Sequence, residues 1–277
     1  EMKDHNWRRG GYGMLTLPQT LMVSSNIGVS RIIDDHYHNH PEKFVEGIYR
    51  TGLASDLHLP IAGSTPPRIR MPKKNSRGQY VNWSKTALAW MSIGYETQIP
   101  PISTVTFYNA IANNGKMMKP RFISKVMKNG EVVKEFPPEV IKPRICKEKT
   151  VKLMQVILEH VVSQGLGRKA GSKSFKVAGK TGTAQVSQGA GGYKTGVTHY
   201  LLSFAGYFPA DNPRYSCIVC IQKSGLPASG GGMSGVVFHH IDGGIMARHT
   251  KLSVEDAKEH ASVSIPEVKK GNKHTAK

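Results

Sequence analysis

The sequence lacks several features that would assign it to a class at once. No stretch approaches the ~20 consecutive apolar residues that a membrane-spanning helix needs. Residues 1–13 are too polar and charged to form a signal peptide. Hydrophobic residues make up 39% of the 277 residues and charged residues 21%, which is typical of a globular protein. We expect one large domain or two small ones, with a sizeable buried core.

Cysteine is scarce, with only Cys146, Cys217 and Cys220 in the chain. An odd number of cysteines argues against a disulfide framework. Cys217 and Cys220 have a spacing that redox and metal sites use. Both lie in residues 215–222, which have the apolar pattern of a buried strand, and residues three apart on a strand face opposite sides. We favour two inert free thiols over a chelate or a disulfide.

Three alternating histidines, His36, His38 and His40, have a spacing that invites a metal-site interpretation. Pro41 follows directly, and the polar residues 34–41 have the composition of a loop. A loop does not fix three histidines around an ion, so we favour a solvated loop over a metal site.

Acidic residues are also few, 19 against 38 lysines and arginines, which gives a net charge of +19. This balance permits nucleic acid, an anionic membrane surface or an acidic wall polymer as a partner. The lysines are scattered along the chain, and no nucleic-acid motif accompanies them. We therefore favour a solvated basic surface over a dedicated binding patch.

The chain is organised around the stretch Val177-Ala178-Gly179-Lys180-Thr181-Gly182-Thr183-Ala184-Gln185. The first two residues begin an extended apolar run, and the two glycines allow a backbone or a ligand to lie close to it. Lys180 provides a cation beside the hydroxyls of Thr181 and Thr183, which suits a carboxylate-bearing peptide. The stretch therefore predicts a substrate-binding strand at the edge of a sheet.

The residues Gly179-Lys180-Thr181 also match the end of a phosphate-binding loop. That motif needs a glycine five residues earlier, where this sequence has Ser174, and a helix after the lysine. Residues 187–192 have the composition of a loop instead. We favour the edge strand over a phosphate loop and over an ordinary turn.

A second motif, Ser24-Ser25-Asn26, lies upstream within residues 21–30. Lys-Thr-Gly and Ser-x-Asn are two of the three motifs of serine penicillin-binding proteins and β-lactamases. They occur here in the order of that family, and the similarity continues in residues 203–210 and 230–238. Over roughly residues 11–250, the sequence resembles class B penicillin-binding transpeptidases of the cell-division or elongation type.

The first motif of that family, Ser-x-x-Lys, is missing, because no serine here is followed by lysine three residues later. In the family this serine is the nucleophile, and it lies some tens of residues before Ser-x-Asn. The sequence begins only 23 residues before Ser24. We therefore expect the C-terminal part of a transpeptidase domain, without the nucleophile and unable to form an acyl-enzyme by itself.

The resemblance implies catalytic roles for three residues. Ser24 would relay a proton between Lys180 and the leaving nitrogen, helped by the nearby ammonium because a hydroxyl is a poor acid. Asn26 would form a hydrogen bond with the side-chain amide of the donor peptide. Lys180 would also set the positive field of the site.

The resemblance also implies a binding strand. Lys180, Thr181 and Thr183 would hold the terminal carboxylate of the substrate, and Gly182 would let its backbone approach. The backbone N–H of Thr183 would supply one oxyanion donor.

The family as a whole implies a peptidoglycan D,D-transpeptidase that binds D-Ala-D-Ala stem peptides or β-lactam antibiotics, with no cofactor and no metal. Relatives carry a membrane anchor, so we expect the outer face of the cytoplasmic membrane, with divisome or elongasome proteins as partners. Two alternatives remain: a catalytically silent sensor or scaffold, and a nucleic-acid-binding protein, which rests on charge alone.

The hydrophobic patterns place helices first and strands later. The predicted helices cover residues 17–23, 27–33, 42–50, 87–93, 103–113, 150–162 and 235–249. The predicted strands are a hairpin of residues 121–126 and 131–135 and three longer runs at 176–186, 199–208 and 215–222.

This order of elements predicts an α+β fold. The resemblance specifies a penicillin-binding-protein/β-lactamase-like fold, with a helical subdomain, an antiparallel sheet and a C-terminal helix covering it. We expect a frayed start over residues 1–12, the transpeptidase part over 13–250 and a flexible charged tail over 251–277.

Overall fold

The protein is described here from a computed structural model, which covers residues 2–187, 189, 192–193 and 196–262, with side chains up to residue 251. The chain divides into two compact units, one ending at His239 and the other beginning at His240.

The α-helices in the described part of the chain are α1 (Leu17–Met22), α2 (Asn26–Tyr37), α3 (Pro41–Thr51), α4 (Ala87–Ser92), α5 (Pro101–Ala112), α6 (Glu148–Ser163) and α7 (Gly235–Ser262). The strands are β1 (Arg68–Ile69), β2 (Thr97–Gln98), β3 (Met117–Met118), β4 (Lys125–Lys128), β5 (Glu131–Glu135), β6 (Val140–Lys142), β7 (Ala178–Val186), β8 (His199–Phe208) and β9 (Tyr215–Ser224).

The sheet β7-β8-β9 is antiparallel throughout, with β7 at one edge. Lys180 lies opposite Ala205 on β8, and each strand of the sheet coincides with a predicted run to within two residues. The α+β class, the antiparallel sheet and the edge position of the Lys180 strand are thereby confirmed.

The two faces of this sheet bury different side chains, because alternate residues of a strand point to opposite faces. On one face, Tyr207 lies in a core cluster with Ile111 of α5 and Leu158 of α6. On the other, Phe204 and Phe208 contact Phe238 in the first turn of α7, with ring centroids 4.7 and 5.6 Å apart. Each buried phenylalanine contributes about 1.5–3 kcal/mol. The sheet that carries Lys180 is therefore held from both sides.

A two-stranded hairpin projects from the same unit. The turn residues Asn129 and Gly130 have φ of +52° and +83°, as a two-residue hairpin turn requires. Its existence is confirmed, but the prediction for its first strand was wrong by several residues: a two-residue turn forces β4 to end at Lys128 rather than at Val126. The short pairs β1–β2 and β3–β6 have no sequence signal that we recognised.

The start of the chain differs from the frayed segment predicted over residues 1–12. Asp4 is buried, and residues Trp7–Arg9 form a 3₁₀ turn. This segment is ordered because Asp4 forms hydrogen bonds with residues 25 and 27. These partners are more than 20 residues away in sequence, so no local pattern predicts the contacts.

The helices α2 and α7 both continue beyond the C-terminal ends predicted for them. α2 continues to Tyr37, so residues 34–37 are helical rather than a loop; His38 caps the helix and pairs with Asp34 one turn earlier at 3.0 Å. α7 continues to Ser262, whereas the sequence predicts a helix to 249 and then a flexible tail. The rest of that tail, 263–277, lies outside the described residues, as does part of the loop predicted at 187–192.

The described histidines and cysteines form neither a metal cluster nor a disulfide. In the described ranges, no group of three or more His, Cys, Asp or Glu side chains is arranged to hold a metal ion. The three cysteines are not in disulfides, and burial raises the pKa of the Cys146 thiol. Cys217 and Cys220 lie on β9, opposite Gly206 and Ser203.

The described helices are all too short or too polar to span a membrane.

Candidate functional site

Ser24 lies at a sharp junction between α1 and α2. Thr16 begins α1 with a capping box to Gln19, and the helix ends at Met22. Ser25 caps α2, because its hydroxyl accepts a hydrogen bond from the Gly28 N–H at 3.0 Å. Ser24 between them has a φ of +52°, a left-handed conformation that is uncommon for serine. The junction turns the Ser24 side chain out of both helices.

Lys180 reaches this junction from β7. Its Nζ donates hydrogen bonds to Ser24 Oγ at 2.8 Å, to the Thr181 carbonyl oxygen at 3.0 Å and to Thr181 Oγ1 at 3.4 Å. Ser24 and Lys180 are 156 residues apart in sequence. The structure thus brings together one residue from each of the two predicted motifs.

The Lys180 ammonium is enclosed by protein. Burial penalises the charged form and lowers the pKa of Lys180 from 10.5 to about 8. Most of these amines are still charged at neutral pH, but they release a proton far more readily than an exposed lysine. A group of this kind can supply a positive field and exchange a proton with a hydroxyl that it contacts.

Three hydroxyls around Lys180 share one property. Those of Ser24 and Thr181 accept a hydrogen bond from Lys180, and Thr183 Oγ1 accepts one from the Gly230 N–H at 3.0 Å. A hydroxyl that accepts in this way keeps its own proton for another partner. The site can therefore present three O–H donors and one ammonium to an anion.

The outer edge of β7 adds backbone donors. The Gln185 N–H donates to the Tyr95 hydroxyl at 3.1 Å and so points away from β8. Backbone direction alternates with a period of two along an antiparallel edge strand. The N–H groups of Thr181 and Thr183 accordingly face the same outer edge, where an extended ligand could accept them.

Gly182 packs closely against the neighbouring strand, where a side chain would force the Ser203 hydroxyl to rotate. A Cβ added to Gly182 would overlap the Ser203 hydroxyl on β8, and one added to Gly230 would overlap the Gly182 carbonyl oxygen. The described structure thus gives Gly182 a packing reason in addition to the role in substrate approach that the sequence predicts. Gly230 begins a π-helical turn, Gly230–Ser234, that lies against β7 and β8.

Among the described residues, no hydrogen bond joins Asn26 to Lys180, and the contact of Asn26 with the donor peptide stays a prediction. Asn26 begins α2, and its side-chain amide donates to the Lys3 carbonyl oxygen at 3.1 Å. The approach of residues 2–4 to this motif was not predicted, and neither were the contacts of Tyr95 and Gly230 with β7. Lys3, Asp4 and Tyr95 belong to no motif that marks them in the sequence, whereas Gly230 begins the stretch 230–238 that carries part of the family resemblance.

Comparison with known proteins identifies the family of the two motifs. A family model described as "Penicillin binding protein transpeptidase domain" matches residues 1–241. The penicillin-binding protein PbpB of Mycobacterium tuberculosis is 32% identical over 250 residues, which cover 86% of this chain and 33% of that protein. The peptidoglycan D,D-transpeptidase FtsI of Escherichia coli is 29% identical, over 85% of this chain and 36% of that protein.

Solved structures agree with these sequence matches. Penicillin-binding protein 3 of Mycobacterium tuberculosis in complex with aztreonam matches with a TM-score of 0.67 and 29% identity, over 85% of this chain and 52% of that one. The transpeptidase domain of Burkholderia pseudomallei penicillin-binding protein 3 matches with a TM-score of 0.64 and 28% identity, over 86% and 66%. The chain spans about a third of the length of the curated relatives named here.

Proposed function

Because the chain belongs to the penicillin-binding protein transpeptidase family, we propose that it forms the carboxylate-binding and proton-relay side of a peptidoglycan D,D-transpeptidase site. One observation supports the proposal above all, the 2.8 Å hydrogen bond from Lys180 to Ser24. It joins the two family motifs in one partly buried polar site. The names of the relatives, which include peptidoglycan D,D-transpeptidases, support the reaction class.

The substrate of the proposed site is a stem peptide ending in D-Ala-D-Ala, or a β-lactam that takes its place. Its terminal carboxylate accepts hydrogen bonds from the hydroxyls of Thr181 and Thr183 and lies in the field of Lys180. Its backbone runs along the outer edge of β7 as an added strand, and the Thr183 N–H donates to the scissile carbonyl oxygen.

The proposed relay acts on the leaving group. When the D-Ala amine leaves, its nitrogen takes the proton of the Ser24 hydroxyl, and Ser24 regains a proton from the Lys180 ammonium. The lowered pKa of Lys180, about 8, makes that second transfer easier than from an ordinary lysine. No serine in the sequence has a lysine three residues later, so we assign no attacking nucleophile to this chain.

For the protein as a whole, we propose cross-linking of the cell wall at the outer face of the cytoplasmic membrane, with division or elongation proteins as partners. The relatives named FtsI and PbpB support this setting. A silent penicillin-binding scaffold is the alternative, and it differs in predicting that carboxylate binding serves no bond cleavage.

Carboxylate-dependent binding tests the proposal on the chain itself. Isothermal titration calorimetry with benzylpenicillin should detect reversible binding, and the methyl ester of the same penicillin should bind at least tenfold more weakly. Lys180→Met should lose about 10- to 100-fold in affinity for the acid, because it removes the positive charge whose field attracts the carboxylate. Thr183→Val should weaken binding in the same direction.

Lys251→Ala is the matched control, because Lys251 is exposed and belongs to neither motif. It should bind benzylpenicillin as the unmodified chain does. An equal loss in Lys251→Ala, or equal affinity for acid and ester, would show that general charge rather than the proposed site attracts the ligand.

A further inference from the structure

Two residues near the start of the chain bind three consecutive residues around the Ser24 junction. Asp4 Oδ2 accepts a hydrogen bond from Ser25 Oγ at 2.7 Å, and Asp4 Oδ1 accepts one from the Ile27 N–H at 3.1 Å. The Lys3 carbonyl oxygen accepts the Asn26 amide between them. Asp4 is only 6% exposed, so both its oxygens are used inside the protein.

These bonds determine the direction of the Ser25 hydroxyl. Its proton goes to Asp4, and its oxygen accepts from the Gly28 N–H at 3.0 Å. Asp4 thus caps the start of α2 both directly, at Ile27, and through Ser25. A carboxylate is favoured at this end of a helix, where the backbone N–H groups carry partial positive charge.

Backbone hydrogen bonds from Ser24 to Leu21 and from Ser25 to Thr20 shape the junction, but one of its sides borders open space. A cavity of about 500 Å³ borders it, with Asp4, Thr20, Ser25 and Gly28 among its walls. Ser24 itself keeps a left-handed backbone that serine seldom adopts unless the surroundings impose it. The hydrogen bonds of Asp4 lie on the side of the junction where the cavity leaves packing incomplete.

We propose that Asp4 is a positioning residue, which acts through Ser25 and Ile27 to hold the Ser24 hydroxyl against Lys180. It touches neither Lys180 nor the reacting atoms of the proposed site. Its catalytic meaning rests on the proposed function, but the positioning itself does not. Without Asp4, the junction relaxes toward the cavity, Ser24 moves away from Lys180, and water reaches the ammonium.

The pKa of the Lys180 amine is a direct measure of whether water reaches the ammonium. Heteronuclear NMR of the lysine side chains, with the Lys180 signal assigned from its loss in Lys180→Met, gives its pKa without any ligand. In Asp4→Ala, we expect the Lys180 pKa to rise from about 8 toward 10.5, because water again solvates the charge. Asp4→Asn keeps one acceptor oxygen and should give a smaller rise.

The direction of the shift separates positioning from simple charge removal. Deleting a negative charge near an ammonium lowers its pKa, so a fall or an unchanged value in Asp4→Ala would overturn the inference. Asp211→Asn is the control, because it removes an exposed carboxylate that does not line this cavity and should leave the Lys180 pKa unchanged.

Ser25→Ala keeps the test decisive if the Asp4 variants fail to fold, as judged by circular dichroism. It retains the carboxylate and removes only the bridging hydroxyl, and it should raise the Lys180 pKa as well. A folded Ser25→Ala with an unchanged Lys180 pKa would also overturn the inference. Failure of the unmodified chain to bind penicillin would count against the proposed function and leave this result intact.

Discussion

At the scale of the residue, Lys180 combines two demands that oppose each other. Its ammonium must stay charged to attract a carboxylate, yet burial makes that charge costly. Hydrogen bonds to Ser24 and Thr181 compensate only part of the lost hydration, since the pKa remains lowered. The site is thus less stable than an apolar side chain in the same place would make it, as is common where function sets the residue.

This cost predicts a specific dependence of stability on pH. The pKa of Lys180 is about 8 in the folded protein and near 10.5 when unfolded, so the unfolded state binds the proton more tightly. The destabilisation is present in full below pH 8 and disappears as the pH rises toward 10.5. Relative to Lys180→Met, the unmodified chain should therefore gain roughly 3 kcal/mol between these limits.

Urea unfolding of both proteins at pH 7 and pH 10 measures this gain. Other groups that titrate between these pH values do so in both proteins, so their contributions cancel in the difference. A gap between the two proteins that stays the same at both pH values would contradict the prediction.

Among the elements, the loop of residues 164–167 after α6 connects the two halves of the site. Leu166 in this loop donates its N–H to the Met22 carbonyl oxygen at 3.1 Å, two residues before Ser24. A Cβ on Gly231, beside β7, would overlap the Leu166 carbonyl oxygen. The loop therefore lies between the end of α1 and the segment that covers the Lys180 strand, in contact with both.

Gly165 permits this close approach, which predicts the effect of adding one methyl group. In Gly165→Ala, the new Cβ would overlap the Met22 carbonyl oxygen and lie 2.8 Å from that of Val161, and backbone atoms cannot yield as side chains do. We expect a loss of about 1–3 kcal/mol in stability and weaker penicillin binding. Thermal unfolding and calorimetry measure the two effects.

Gly243→Ala is the control for this substitution. Gly243 lies within α7 with nothing within 4 Å of an added Cβ, so alanine there should stabilise the helix by up to about 1 kcal/mol. If Gly165→Ala behaved like Gly243→Ala, the close approach of the loop to α1 would not be a constraint.

The elements also show what the sequence can predict. Local signals were sufficient for the junction at Ser24, where three polar residues interrupt two apolar helical patterns, and for the hairpin at Asn129-Gly130. They were misleading at residues 34–37, where polar side chains suggested a loop although Asp34 pairs one turn along with the helix cap His38. The error arose because composition was given more weight than helical spacing.

The residues of the candidate site likewise include some that the sequence predicts and some that it does not. Ser24 and Lys180 belong to motifs, so their approach could be predicted from a family pattern. Asp4, Tyr95 and Gly230 reach the site through contacts that no local pattern encodes, at separations of 21, 90 and 47 residues from their partners. Such contacts depend on how the elements pack, which a single sequence does not contain.

For the whole molecule, the proposed site supplies the leaving side of the reaction, and the sequence contains no Ser-x-x-Lys motif to supply the attacking group. Ser24 is the serine nearest to Lys180, but its assigned position is beside the leaving nitrogen, and position 27 is Ile27 rather than lysine. Loss of a nucleophile from such a site costs on the order of 10⁶ in rate.

We therefore expect the isolated chain to form no acyl-enzyme. Purified chain incubated with a fluorescent penicillin should show no label on a denaturing gel and no added mass by intact mass spectrometry. A known penicillin-binding protein in the same assay verifies the probe. A stoichiometric adduct mapped to any serine of this chain would show that it carries its own nucleophile.

The hydrogen bond between Tyr95 and Gln185 affects whether two copies of this chain can associate through the edge of β7. An open strand edge that can accept a peptide can also accept the edge of another molecule, which is how sheets begin to aggregate. Here the Tyr95 hydroxyl accepts the hydrogen bond of the Gln185 N–H. The outward N–H groups of Thr181 and Thr183, earlier on β7, remain available to a ligand. A short ligand needs no more than these two, whereas a neighbouring strand needs a longer run to pair stably. The Tyr95–Gln185 contact thus shortens the open edge of β7 and opposes its pairing with a strand of a second molecule.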